Sequence, residues 1–196
     1  MFRLAHVTDL HVRNFAGARV RDFLGKRAIG ALNLALIRRR KHRMELLAAL
    51  GEDLRARPYD HLVVSGDLGN LSLPSEWRAA RSWIERTGAS VENTTVIPGN
   101  HDTYVQEVVV RGAFEQLFAD YQRADLRLQA DTYPFARLRG EIALVCANTC
   151  VPTGDLGAWG RVGEAQLRRV EALLAAPEVR ARFRVLVIHH SPVVHR

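Results

Sequence analysis

Short apolar runs alternate with stretches of helical spacing along the whole chain. Residues 2–8, 61–65, 94–97, 133–138, 142–147 and 184–188 are rich in β-branched and aliphatic side chains and read as strands. Between them, residues 43–57 carry Met44, Leu47, Leu50 and Leu54 on one helical face, and residues 75–86 form a second helical pattern with Pro74 near its start. Residues 112–121 and 164–176 complete the predicted helices. Two strands follow each other directly, separated by Arg139-Gly140-Glu141, which predicts an antiparallel hairpin. The alternation predicts an α/β layer architecture whose sheets are not purely parallel.

Composition narrows this to a single domain over residues 1–196. At 196 residues and 47% hydrophobic, the chain is long enough for one well-buried core and short for two. No run approaches the roughly 20 apolar residues of a membrane-spanning helix. The first strand starts at residue 2, so no leader segment is expected. Two cysteines, Cys146 and Cys150, are too few for a disulfide framework and form no zinc-type pair of pairs, so the expected setting is reduced and cytoplasmic.

Charge is uneven. The net +7 hides a segment, residues 12–43, with ten Lys or Arg against the single acid Asp22; that segment is +9 and the remainder −2. A local excess of this kind argues against nucleic acid bound along a whole face.

Four polar clusters each follow a predicted strand, and packing does not explain their residue types. Asp9-Leu10-His11 follows the first strand. In extended backbone, residues two apart point to one side, so Asp9 and His11 are expected to reach one cation together while Leu10 faces away. Gly66-Asp67-Leu68-Gly69-Asn70 follows the second strand; its glycines allow a sharp turn, and Asp67 has two oxygens able to bridge two metals. Gly99-Asn100-His101-Asp102 offers a neutral oxygen, an imidazole and a carboxylate in succession, and His189-His190-Ser191-Pro192 follows the last strand. Taken singly, an Asp after a strand is more often a turn former than a ligand. All four clusters lie at carboxyl ends of strands, where open α/β sheets bind ligands, and that shared position makes the combination specific.

Together, Asp9-x-His11, Gly66-Asp67-x-x-Asn70, Gly99-Asn100-His101-Asp102 and His189-His190 resemble the successive signature blocks of calcineurin-like metallophosphoesterases. Residues 160–167 add a likeness to the bacterial branch that includes cyclic-nucleotide phosphodiesterases. The resemblance implies a four-layer α-β-β-α sandwich of mixed sheets and two metal ions drawn from manganese, iron and zinc. Position by position, it puts one metal on Asp9, His11 and Asp67 and the other on Asp67, Asn100 and His189, with His190 the alternative to His189. It makes His101 the catalytic helper that contacts the phosphate or protonates the leaving alcohol, with Asp102 orienting its ring. Metals roughly 3.5–4 Å apart would acidify a bridging water for attack on phosphorus. Members of the family carry a further Gly-His-x-His block after His-His; this sequence reaches Arg196 without one, so the expectation is a domain incomplete at its C-terminal side.

The implied activity is hydrolysis of a phosphodiester, with a cyclic nucleotide as one candidate substrate. A phosphomonoesterase or lipid-precursor pyrophosphatase is the enzymatic alternative, and a phosphoesterase-fold binding module without catalysis is the alternative of another class. The basic segment 13–43 interleaves Phe15, Phe23, Leu24, Ile29, Leu32, Leu36 and Ile37 with its cations and ends in Arg38-Arg39-Arg40-Lys41. It reads either as a core-packed helix with a solvated basic end, or as a basic amphipathic insertion that docks on an anionic membrane surface or steers an anionic substrate.

Overall fold

The computed structural model describes residues 1–23, 25, 27, 28, 30, 31, 44–103, 105–151 and 159–193. Two three-stranded sheets stack face to face. In the first, β1 (Leu4–Val7), β2 (His61–Val64) and β3 (Thr94–Val96) run parallel in that order, with Leu4 opposite His61 and Leu62 opposite Thr94. The second has β4 (Phe135–Arg139) antiparallel to β5 (Ile142–Cys146), which runs parallel to β6 (Phe183–Val187). The predicted hairpin is present: Arg139 pairs with Ile142 across Gly140-Glu141, and Gly140 has φ 55°, a left-handed value that suits glycine.

Strand alternation builds three apolar layers. In β2, Leu62 and Val64 face helices α1 (Met44–Ala56) and α2 (Pro74–Arg86), meeting Leu47, Leu54, Trp77, Trp83 and Ile84, while Val63 faces the other sheet. In β5, Leu144 and Cys146 face the first sheet beside Val63 and Ile97, and Ala143 and Val145 face α5 (Glu164–Ala175) and α6 (Pro177–Arg180) through Val170, Leu173 and Val179. A period-2 strand buried on both faces needs apolar side chains at every position, which explains the unbroken runs at 62–64 and 143–146. The result is the expected helix, sheet, sheet, helix order.

Two short helices, α3 (Gln106–Val110) and α4 (Ala113–Phe118), follow β3. The first has no predicted counterpart, since five residues carry too little periodicity to register; the second, with a 3-10 turn over Ala119–Gln122, covers the predicted 112–121. The basic segment is described only in part. A 3-10 turn spans Val20–Phe23, and Phe23 packs edge-on against Phe15 at 5.9 Å. Leu24, Ile29, Leu32, Leu36, Ile37 and the Arg38-Arg39-Arg40-Lys41 cluster lie outside the described residues. No helix among the described residues is long and apolar enough to cross a membrane.

Candidate metal centre

The parallel strands β1, β2, β3 and β6 all deliver their carboxyl ends to one edge, and the loops that follow them carry the predicted ligands. The first loop is not extended as the sequence suggested. Asp9 and His11 have φ of 56° and 46°, so they share a side through two left-handed turns, with Leu10 buried between them. Asp67 has φ 54°. Non-glycine residues in this region cost on the order of 1 kcal/mol each, Asp less than most, and three of the five predicted ligands bear that strain. Cross-loop bonds hold it in place: the amides of Asp9, His11 and Val12 donate to the carbonyls of Gly66 (3.0 Å), Asp67 (2.9 Å) and Leu68 (2.8 Å). A Cβ on Gly66 would strike the Gly99 backbone, and one on Gly99 would strike Asp67, so both glycines are needed for the second and third loops to touch.

Asp67 sits at the centre, almost fully buried. Its Oδ2 lies 3.8 Å from His11 Nε2, and its Oδ1 lies 3.6 Å from His189 Nε2 and accepts the His101 amide at 2.8 Å. Asp9 Oδ1 is 3.6 Å from His11 Nε2, and Asn100 Oδ1 is 3.1 Å from His189 Nε2. His101 stands edge-on to His11 with ring centroids 5.1 Å apart, and one donor atom each from His11, Asp67 and His101 fall within 4.8 Å of one another. All six predicted site residues therefore meet. His190 turns elsewhere: its Nδ1 bonds Thr149 Oγ1 at 2.8 Å.

Each imidazole is oriented by a backbone carbonyl. Nδ1 of His11 donates to Gly69 O (3.2 Å), that of His101 to Asn70 O (2.8 Å) and that of His189 to Ser65 O (2.8 Å). A carbonyl accepts only, so these bonds assign the Nδ1–H tautomer and direct the Nε2 lone pairs of His11 and His189 at Asp67. Such outer hydrogen bonds are how metal-binding histidines are held.

Electrostatics show what the cluster suits. Burial pushes the Asp67 carboxyl above its usual range, although His189, the His101 amide and His11 pull the other way. Burial also opposes a charge on His11, but Asp9 and Asp67 outweigh it and raise its pKa. Asp9 is lowered to about 2, chiefly by its contact with His11. With neutral imidazoles, carboxylate oxygens, an amide oxygen and ring lone pairs face one another at 3.1–3.8 Å, an arrangement that a shared cation, whether a proton on a ring or a metal ion, relieves. Donors about 3–4 Å apart are also what metal–ligand bonds of roughly 2.0–2.2 Å produce. The donor set fits metal ions, and its mix of nitrogen and oxygen suits manganese, iron or zinc better than calcium.

Asp102 does something other than orient His101. Fully buried, it accepts Gly69 N–H (3.1 Å) and Trp77 Nε1–H (3.0 Å) on one oxygen and Leu68 N–H (3.1 Å) and Gly99 N–H (2.9 Å) on the other. It ties the two central ligand loops together, and Asn70 O takes the ring of His101 instead. Glu76, also fully buried, accepts the amides of Leu71 (2.9 Å) and Leu73 (3.3 Å) and an Asn70 Nδ2 hydrogen at 3.3 Å, holding the end of the second loop. Nothing in its local sequence separates Glu76 from an ordinary first-turn helix acid.

The family model for calcineurin-like phosphoesterases matches residues 2–194. The chain belongs to the calcineurin-like phosphoesterase family. Membership spans both sheets and all four ligand loops, and it sets the chemistry as metal-dependent hydrolysis of phosphate esters. A comparison with curated proteins finds no match to this calcineurin-like phosphoesterase.

Proposed function

We propose that this chain is a phosphodiesterase, holding one metal ion through Asp9, His11 and Asp67 and a second through Asp67, Asn100 and His189. The carrying observation is that His11 and His189 turn Nε2 toward opposite oxygens of a single buried carboxylate, Asp67. A bridging ligand needs that arrangement. Bound ions of the manganese, iron or zinc type supply Lewis acidity, which makes water nucleophilic near neutral pH and offsets phosphate charge.

The chain's own groups position and exclude. Asp67, held by the His101 amide, fixes the spacing of the two ligand sets, and the left-handed turns at Asp9 and His11 bring both side chains to one face. His101, with Nδ1–H committed to Asn70 O, stands beside the cluster as the proton carrier for the leaving oxygen. The preference for diesters rests on the likeness of the sequence blocks to the phosphodiester-hydrolysing branch of the family.

Hydrolysis of bis(4-nitrophenyl) phosphate and of 4-nitrophenyl phosphate, with manganese, iron or zinc, tests the reading. Expected are faster turnover of the diester, loss on chelation and loss in Asp67→Asn. Equal turnover in Asp67→Asn would overturn the ligand assignment, a faster monoester would overturn the diester preference, and no turnover with any metal would favour a binding module.

A further inference from the structure

Backbone groups orient three of the predicted ligands. The His101 amide donates to Asp67 Oδ1 at 2.8 Å, and the carbonyls of Gly69 and Ser65 accept from the rings of His11 and His189. Asp9 differs. Its carboxylate is half exposed, and no backbone N–H among the described residues donates to it. A carboxylate left free to turn can present either oxygen, or both, to a cation, and fixing it on metal binding costs side-chain entropy.

One side chain takes over the task of the backbone. Thr8 Oγ1 donates to Asp9 Oδ2 at 2.8 Å. Neighbouring side chains of a strand point to opposite faces, so continuing β1 would keep these two apart; the left-handed backbone at Asp9, φ 56°, ends the alternation and allows the contact. The same hydroxyl lies 3.5 Å from Ser65 O, the carbonyl that orients His189. A hydroxyl has one proton, and the shorter bond to a charged acceptor takes it. Oδ2 is thereby occupied, while Oδ1 is the oxygen 3.6 Å from His11 Nε2.

We infer that Thr8 is a positioning residue, whose hydroxyl holds Asp9 so that Oδ1 alone is offered to the metal ion shared with His11 and Asp67. The inference rests on the ligand assignment made in the proposed function. Hydrogen bonds to metal-binding carboxylates from the layer behind them change metal affinity about 10–100-fold.

Manganese titrated into the chelator-treated full chain, followed by calorimetry, reads the effect without turnover. The proteins compared are the parent, Thr8→Val, Thr8→Ser, Asp9→Ala and the Thr8→Val, Asp9→Ala double variant. Thr8 is exposed and valine matches its shape, so the fold should persist, as circular dichroism would check. Thr8→Val should weaken manganese binding at least about tenfold, and Thr8→Ser, which keeps the hydroxyl, should stay within about threefold of the parent. In the Asp9→Ala background, Thr8→Val should change affinity less than about twofold, because the group it acts through is gone.

Three outcomes overturn the positioning role alone, provided that Asp9→Ala itself weakens binding: parent-like affinity in Thr8→Val, no rescue in Thr8→Ser, or an undiminished Thr8→Val effect in the double variant. Parent-like affinity in Asp9→Ala, or no saturable binding in the parent, would instead remove Asp9 from the ligand set and take the inference with it.

Discussion

Two groups of polar side chains occupy opposite ends of the first sheet, and they are satisfied in opposite ways. At the carboxyl ends of the strands, the buried Asp67 and His11 meet the half-buried Asn100 and His189 and the exposed carboxylate of Asp9. At the amino ends, Arg137 is fully buried and gives its N–H groups to the carbonyls of Thr94, Tyr121, Val91 and Glu92, while the His61 ring meets Thr95 Oγ1 at 2.8 Å. Burial lowers Arg137 to about 10, so it keeps its charge at neutral pH, with backbone oxygens answering it. Buried charge alone therefore does not mark a site. One end is answered largely by the fold's own backbone, with Arg137 Nε and His61 Nδ1 buried without a hydrogen-bond partner among the described residues, and the other gathers donors that suit cations.

That difference predicts that substitutions at the two ends separate stability from metal dependence. Arg137→Met leaves several buried carbonyls without donors, and breaking a buried charged network of this kind costs about 3–5 kcal/mol. Denaturant unfolding should show that loss equally with and without manganese; a loss seen only in the metal-loaded chain would erase the distinction. At the other end, Asp67→Asn should lower turnover at least about 100-fold, because ligand loss exceeds the usual effect of a second-layer change. The same variant, treated with chelator, should be no less stable than the parent, since it removes a carboxyl whose ionised form is disfavoured by burial. A large drop in chelated stability would mean that Asp67 is structural first.

Asp102 tests the boundary between the two behaviours, because its four donors make it part of the scaffold while the loops it joins carry ligands. Asp102→Asn presents one amide oxygen and one NH2 to four N–H groups. Metal affinity should fall about 10–100-fold, read by calorimetry, with a parallel loss of stability in the chelated chain. Loss of stability with unchanged affinity would confine Asp102 to the core.

The parts of this arrangement that were legible in the sequence are those with local periods. The apolar runs marked strands, and the polar clusters after them marked the edge where ligands gather. The boundary errors are one or two residues, as at 2–8 against Leu4–Val7. What stayed hidden depends on partners far along the chain. Asp102 meets Leu68 and Gly69 across more than 30 residues, and Arg137 meets Thr94 across 43. The left-handed backbone at Asp9 and His11 was hidden too, since no glycine announces it and cross-loop bonds enforce it. His101 next to Asp102 suggested a ring–carboxylate pair, but adjacent side chains diverge, and the ring found the Asn70 carbonyl instead.

The smallest predicted effect concerns the amino end of the sheet and follows from His61. Burial, with Arg137 and Arg139 adding positive charge nearby, lowers its pKa from the usual 6.5 to about 3. Between those values the unfolded chain binds a proton that the folded chain refuses, so stability falls as pH drops below about 6.5 and stops falling near 3. The slope from this one group approaches about 1.4 kcal/mol per pH unit in the middle of the window. His61→Asn should lose part of the slope while giving up some stability at pH 7.5, and denaturant midpoints at pH 7.5 and 5.5 on chelated protein would read the difference. A variant as pH-sensitive as its parent would mean that His61 accepts a proton in the folded state, and that the amino end of the sheet is less completely closed than the guanidinium of Arg137 implies.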